Sequence, residues 1–385
     1  MDTNDAIIND LLNTGKLGLF GAGFFGQDAY KSFASKYSIL CFIDNSAKKQ
    51  GSIIDGVPVY SLERAIDKGV ETIITTLYAR KSFVQIYEQL IQHGVSHLLQ
   101  LIPSFFYNRQ IDKTEDYHDC FAYFSLTDDG RNTTFLSYCL YHLTDHCNLN
   151  CVGCNHFSPL YRDNPSFADI EQFEKDMERL SKLFTNVLQL RLMGGEPLLN
   201  SNLTHYIDIA RKVFPKNDLQ IVTNGLLIPK LTKSQVKSIK KNDVIIDITV
   251  YPPTLQILDS IKSFSEESKI VCRYTGPMNM FSRPLREKPG KYFAENCTSP
   301  NCATVRNGKI SKCPLIMHIS KVNEYFNLDF PDNGILNLDD SLLTGSVINS
   351  FLENDTDLCR YCVRDLVPWQ QCLPEKALDK RYWIS

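Results

Sequence analysis

Cys147, Cys151 and Cys154 fall within ten residues, DHCNLNCVGC at 145–154, at spacing C-x3-C-x2-C. Thiolates so placed suit zinc or an iron–sulfur cluster. Three are one short of a closed tetrahedral site. His146 and His156 are candidate fourth ligands, which leaves zinc open on this loop alone. A cubane held by three cysteines leaves one iron with an open position, which is what a catalytic cluster needs to bind a substrate. His156 is also a candidate base, against the alternative that it packs on the loop.

Six further cysteines gather downstream: Cys297, Cys302 and Cys313, then Cys359, Cys362 and Cys372. TVRNGKISKCP (304–314) reads as a hairpin turning at Asn307-Gly308, with Cys313 at the end of the returning strand. The chain has thirteen cysteines. Cys41, Cys139 and Cys272 lie in apolar, strand-like runs and read as core residues, and Cys120 is isolated. A reducing compartment disfavours disulfides, so the clustered thiols read as metal ligands.

The elements that must position these groups alternate. Residues 17–101 run strand, helix, strand, which predicts a parallel sheet covered by helices. Residues 103–133 are polar and turn-rich and read as a connection. A second alternation starts near 134 with TFLSYCLYHLT, followed directly by the cysteine loop. A helix is expected over 167–184, its apolar positions at steps of three and four, with Ser166 and Asp169 as its capping box. Further strands end in Gly194-Gly195-Glu196-Pro197 and in Thr223-Asn224-Gly225. In parallel α/β folds chemistry sits at the C-terminal ends of strands, and these three motifs all fall there. Tyr251, after the next strand, either faces the barrel or covers it. Beyond about 286 the alternation stops, and the segment is expected to rely on bound metal for its order.

The expected fold is therefore α/β: a Rossmann-like parallel sheet over 1–102, a connection over 103–133, a partial (β/α)6 barrel over 134–285 and a small cluster-binding region over 286–385. Hydrophobic residues are 43% and charged residues 22% of the chain, and the net charge is −3. No basic face for nucleic acid or an anionic membrane is implied. The acidic, amphipathic start is unlike a signal peptide, and no apolar run approaches 18 residues, so a cytoplasmic protein is expected.

C-x3-C-x2-C after the first strand of a βα barrel resembles the signature of the radical S-adenosylmethionine (SAM) enzymes. The resemblance implies a 4Fe-4S cluster on Cys147, Cys151 and Cys154 whose open iron chelates SAM. Reductive cleavage then yields a 5′-deoxyadenosyl radical that abstracts a hydrogen atom from substrate. It also implies that the backbone of Gly194, Gly195, Glu196 and Pro197 receives the SAM amino group, with Glu196 orienting the turn or balancing the ammonium. Thr223 and Asn224 would contact ribose or carboxylate. The family's aromatic residue before the third cysteine is Gly153 here, so the adenine contact would fall to Phe157. The later cysteines resemble the SPASM region or its shortened twitch form, with Pro368 at one of the expected cysteine positions. One auxiliary 4Fe-4S cluster is implied, on Cys302, Cys313, Cys359 and Cys362, or alternatively on Cys297, Cys302, Cys313 and Cys372. A flavodoxin- or ferredoxin-type electron donor is implied as a partner.

Gly21, Gly23 and Gly26 follow a strand and open a helix, and Asp44 ends the next strand. That is the context of a dinucleotide site, with Asp44 on a ribose hydroxyl, so NAD or another nucleotide is expected there. The run also resembles Rossmann-like domains of sugar-nucleotide and polysaccharide biosynthesis proteins, some of which bind no nucleotide. Together these readings point to two-electron oxidation of an alcohol on a sugar, aminosugar or nucleotide-linked sugar. The alternatives are a radical sugar epimerase, a maturase of ribosomal peptides and a non-catalytic cluster carrier.

Overall fold

The computed structural model describes residues 3–13, 16–77, 80–101, 121–126, 134–291, 297, 302–373 and 378–385. The chain divides into two units, Met1–Ser137 and Tyr138–Ser385. None of the described helices is long and apolar enough to cross a membrane.

In the first unit a seven-stranded sheet is built around β1 (Leu17–Phe20). β1 pairs in parallel with β2 (Ile39–Ile43) on one side and with β5 (Thr72–Thr75) on the other. β3 (Ile53–Ile54) and β4 (Val57–Tyr60) extend the β2 side, and β6 (His97–Leu101) extends the β5 side. Helices α1 (Thr3–Asn13), α2 (Phe24–Phe33), α3 (Leu62–Asp67) and α4 (Arg80–Gln92) complete the alternation. The chain thus leaves β1 to opposite sides in turn, the topology that opens a crevice at the C-terminal end of β1. One expectation is corrected. Within the stretch read as a connection, β7 (Phe121–Ser125) is a strand antiparallel to β6. Its Phe121 and Phe124 pack on Phe33 and Phe83, with ring centroids 5.5 and 5.0 Å apart. The polar residues before FAYFS hide a short strand whose stability is tertiary. Cys120 lies outside the described residues.

The second unit holds an eight-stranded sheet. Five strands run parallel in sequence order: β8 (Cys139–Thr144), β9 (Gln189–Gly194), β10 (Asp218–Thr223), β11 (Ile245–Thr249) and β12 (Cys272–Thr275). A sixth parallel strand, β14 (Ala303–Arg306), sits beside β8 and so at the opposite end of this array from β12. A short strand β13 (Met280–Leu285) precedes it in sequence and belongs to a separate ribbon with β17 (Cys362–Pro368). Five parallel strands thus lie within the barrel expected over 134–285, and the sixth, paired with the first strand, falls at 303–306 inside the stretch expected to be a cluster-binding region, which corrects that boundary. β15 (Lys309–Ser311) and β16 (Ile335–Asn337) add antiparallel edges. The β14–β15 hairpin turns at Asn307 and Gly308, both with positive φ (46° and 74°), as the sequence pattern requires.

One sheet face is apolar. Leu190, Leu192, Leu219, Ile221, Ile246 and Ile248 are at most 1% exposed. Helices α5 (Ile170–Leu183), α6 (Leu203–Val213), α7 (Lys233–Lys241), α8 (Pro252–Gln256) and α9 (Leu258–Ser268) follow the strands in turn. Tyr141 meets Phe173 of α5 at 4.6 Å, and Phe173 meets Tyr206 of α6 at 4.9 Å. Each fully buried Leu or Ile stabilises this layer by about 1.5–3 kcal/mol. Asp176 of α5 accepts hydrogen bonds from Tyr141 Oη (2.7 Å), Gln172 Nε2 (2.9 Å) and Gly308 N (2.9 Å), which ties helix, strand and hairpin together. α5 starts at Ile170, later than expected, because Asp169 alone caps it by accepting from Gln172 N. Ser166 accepts from Arg306 instead, so no capping box forms. Cys41 and Cys139 are fully buried, as read, while Cys272 is partly exposed. Among the described residues the remaining α-helices are α10 (Pro314–Phe326) and α11 (Gly345–Glu353).

Candidate functional site

The end of β8 delivers Cys147, Cys151 and Cys154 to one place. Each of the three thiols lies within electrostatic reach of the others. Burial, and then the Glu196 carboxylate, push the Cys147 thiol up to about 12, and burial raises Cys151 further. Metal must therefore displace protons on entry. N–H groups already point at the sulfurs: Leu149 N donates to Cys147 Sγ at 3.4 Å and Trp369 Nε1 to Cys151 Sγ at 3.1 Å. Such donors stabilise thiolates around a cluster. Among the described residues, the one trio of His, Cys, Asp or Glu donor atoms drawn within 4.8 Å of one another is His142, Asp145 and His318. Three convergent thiols with N–H donors on two of them are a donor set that fits a cluster.

Two further strand ends are fastened to this loop. Glu196 is fully buried. Its carboxylate accepts from Thr223 Oγ1 (2.7 Å), Asn224 N (2.9 Å) and Leu198 N (3.1 Å). Of the two roles expected for Glu196, the structure shows the first: it orients the neighbouring turn. Burial nonetheless pushes its carboxyl up to about 7. Asn224 in turn donates to Asn148 Oδ1 (2.8 Å) and reaches Cys147 Sγ at 3.6 Å. Gly194 (φ +137°) and Gly195 are demanded by the chain itself. A Cβ there would lie 1.9 Å from Thr144 O and 2.0 Å from His146 O. Gly195 N and Glu196 N donate to those same carbonyls. Pro197 opens a short buried turn behind them.

The loop is walled by late sequence. Val152 N donates to Gln370 O and Cys372 N to Asn150 O (2.9 and 2.7 Å), and Trp383 Nε1 donates to Cys154 O (3.0 Å). β13 crosses at Gly153, where a Cβ would meet Ser282 O at 2.5 Å and Phe281 at 3.5 Å. That approach explains the glycine before the third cysteine. Tyr251 lies within reach of all three thiols and Glu196. Its ring is 6.0 Å from Phe281 and 6.3 Å from Trp369. Phe157 does not serve the adenine contact expected of it. It is fully buried and packs on Trp383 in the core beneath the loop. The aromatic side chains beside the cysteines are instead Tyr251, Phe281 and Trp369, the last two carried by segments that sequence spacing does not connect to the loop.

Residues 141–276 match the family model described as Radical SAM superfamily. The chain carries a radical SAM domain. Among curated proteins, the chain is similar to the GTP 3′,8-cyclase of Clostridium acetobutylicum, 29% identical over 144 residues that make up 37% of this chain and 42% of that protein. It is similar also to the GTP 3′,8-cyclase of Lactiplantibacillus plantarum, 34% identical over 96 residues, 24% of this chain and 27% of that protein. The chain thus spans less than half the length of the curated relatives it matches. Among solved structures it is similar to a crystal structure of BtrN in complex with AdoMet and 2-DOIA, at TM-score 0.38 and 18% identity, covering 59% of this chain and 92% of that one.

Beyond the radical SAM domain a second group of thiols assembles. Cys313 feels Cys302, Cys359 and Cys362, and Cys362 feels Cys297 and Cys359. Cys302 also lies near Cys297, Arg191 and Tyr138. The set Cys302, Cys313, Cys359 and Cys362 is thus brought together, with the exposed Cys297 beside it. The alternative set is corrected: Cys372 is held by Asn150 and feels Cys154 instead.

His156 belongs to a chain of hydrogen-bonded rings. Its Nδ1 meets His142 Nε2 at 3.0 Å; His142 Nδ1 meets His318 Nε2 at 2.9 Å; His318 Nδ1 meets Tyr161 Oη at 2.9 Å. Burial holds His318 down to about 3 and His156 well below the usual imidazole range. Arg306 grips Asp145 with Nε at 2.9 Å and with Nη2. Burial would raise that carboxyl, but His142 and Arg306 outweigh it and hold it low. The donors of His142, Asp145 and His318 are thus spent on each other and on Arg306.

In the first unit Gly21 (φ +113°) ends β1, and Gly26 lets α2 seat on the turn, since a Cβ there would be 1.7 Å from Gly21 O. Space beside Gly23 is open. The Asp44 carboxylate accepts from Ala22 N (3.0 Å), Ser46 N (2.9 Å) and Lys49 Nζ (2.8 Å), so it closes the glycine turn.

Proposed function

We propose that the chain is a radical SAM oxidoreductase that converts an alcohol of a sugar, aminosugar or nucleotide-linked sugar to a ketone. The observation that carries the reading is the second thiol group, with Cys302 near Arg191 of the parallel sheet and near Tyr138, which precedes its first strand. When bound, SAM and a cluster on Cys147, Cys151 and Cys154 supply a radical for hydrogen-atom abstraction, and a cluster on Cys302, Cys313, Cys359 and Cys362 supplies an electron acceptor. The carbinol then gives up a hydrogen atom, an electron and a proton. In this reading Glu196 and Asn224 hold the loop and strand ends in register. Tyr251, Phe281 and Trp369 shield the reacting region from water.

The reading takes a flavodoxin- or ferredoxin-type reductant as donor and the reducing cytoplasm as compartment, on the ground of so many unpaired thiols. It leaves nucleotide binding to the glycine turn of the first unit. A second reading, epimerisation, is favoured by one observation: the buried Cys372 thiol lies beside Cys151 and Cys154, where it can return a hydrogen atom to a substrate radical.

The test is anaerobic reconstitution, iron and sulfide counting, and incubation with SAM and sugars deuterated at the carbinol carbon. Deuterium in 5′-deoxyadenosine together with a ketone product supports oxidation. Deuterium transfer with an inverted alcohol and no ketone supports epimerisation. Absence of SAM cleavage under reducing conditions rejects both.

A further inference from the structure

Helices α7 and α9 border an open surface groove of about 620 Å³ in the second unit. Leu231, Val236 and Phe264, each half-buried, give it an apolar floor. Lys233, Lys237, Lys240 and Lys241 of α7 line it too, and among the described residues no acidic side chain does. Steps of four, three and one place these lysines on one stripe of the helix. Lys241 pairs with Asp208 at 3.5 Å. Lys233, Lys237 and Lys240 are exposed and make no ion pair with any described residue. The patch is local, in a chain whose net charge is −3.

Helix stability does not account for this stripe. Lys233 opens the first turn, where the helix dipole disfavours a cation, and that turn holds no acidic residue. Lys233 and Lys237, like Lys237 and Lys241, are equal charges four residues apart, which repel. Open apolar surface ringed by unpaired lysines suits a partner that brings an apolar contact and negative charge together. So small a patch fits the transient, charge-steered encounters of redox partners better than a permanent interface.

The groove also backs onto the cysteine loop through packed residues. Asn224 Nδ2 reaches Cys147 Sγ at 3.6 Å. The next residue, Gly225, lies so close to α9 that a Cβ there would meet Ile261 at 3.3 Å. Phe264, on the groove floor, is about one turn beyond Ile261 on the same helix. A close-packed route of this kind connects the groove to the first thiol set.

We propose that the groove between α7 and α9 docks an acidic protein that delivers single electrons to the cluster held by Cys147, Cys151 and Cys154. In each encounter the donor is oxidised by one electron and the cluster is reduced by one. The inference rests on the radical SAM reading and gives its reductant a place on the chain. Lys233, Lys237 and Lys240 steer the donor, and Phe264 seats it.

The experiment measures binding of flavodoxin and of ferredoxin to the reconstituted full chain, together with 5′-deoxyadenosine formation driven by each reduced donor or by dithionite. At least one donor is expected to bind, more weakly as salt rises. The triple variant Lys233→Glu, Lys237→Glu, Lys240→Glu should weaken that binding tenfold or more and slow donor-driven SAM cleavage to match. Its iron content and dithionite-driven cleavage should stay at wild-type values. The corresponding triple Lys→Gln variant guards against the case in which charge reversal unfolds α7, and it should weaken binding and flatten its salt dependence. Binding of neither donor, equal binding by wild type and variants, or lysine-dependent binding of phosphatidylglycerol vesicles in place of the donors would overturn the inference. Lysine-dependent donor binding with no SAM cleavage under dithionite would overturn the radical reading and leave the docking surface standing.

Discussion

The two thiol regions are built in opposite ways. Cys147, Cys151 and Cys154 come from one turn at the end of one strand, and their partners Glu196 and Asn224 come from the ends of the next two. Cys302, Cys313, Cys359 and Cys362 come from a hairpin, a helix N-terminus, a 3-10 turn and the β17 ribbon. The first site is defined before the distant chain arrives. The second exists only once β13 and β17 have paired, with Leu285 opposite Cys362. A local site is fixed by spacing and an assembled one by packing, and mutations should separate the two.

The sharpest separation is between cysteine replacements. Replacing Cys147, Cys151 and Cys154 by Ala should abolish 5′-deoxyadenosine formation while the second thiol set still takes up iron, read by chromatography and iron analysis. Replacing Cys313 by Ala should do the reverse. Iron should fall from about eight to about four per chain, SAM cleavage should persist, and ketone formation should stop. If both replacements empty both sites, the regions are not independent.

Glu196→Ala comes next. It leaves Leu198 N, Thr223 Oγ1 and Asn224 N without their acceptor, at a cost of about 3 kcal/mol or more. Denaturant unfolding should show that loss, with weaker SAM binding beside it.

Asp218→Asn tests the parallel sheet through pH. Burial raises the Asp218 carboxyl to about 6 from 3.8. A raised carboxyl contributes stability below pH 3.8 that is lost as pH climbs through 6. Relative to the variant, wild type should therefore lose up to about 3 kcal/mol between pH 4 and 7. A constant difference across that range would show that Asp218 keeps its ordinary value.

The smallest effect is Trp369→Phe. It removes the N–H donor to Cys151 Sγ and should lower the reduction potential of the cluster there by a few tens of mV, with iron content unchanged. An unchanged potential in an EPR titration would place Trp369 in the wall alone.

Legibility followed the same division. The alternating strands and helices, the cysteine loop and the two glycine-bearing strand ends were readable because each is a local pattern. The hairpin at Asn307-Gly308 was readable for the same reason. Phe157 was misread because sequence nearness to Cys154 says nothing about which way a left-handed turn aims its ring. Phe281 and Trp369 were invisible because only tertiary pairing brings them to Gly153 and Cys151. β7 was missed because five residues flanked by polar sequence give too short a signal.

The reach of Trp383 back to Cys154 spans 229 residues. At roughly 5–20 residues per second of synthesis, the loop leaves the ribosome roughly 10–45 s before the side chain that seals its floor. During that interval its thiols have their local partners but not that floor. A cofactor-delivery machine has its freest access then, and a chain that finishes without iron closes over an empty loop. Yield of active protein should consequently depend on iron supply during translation more than on iron supplied afterwards.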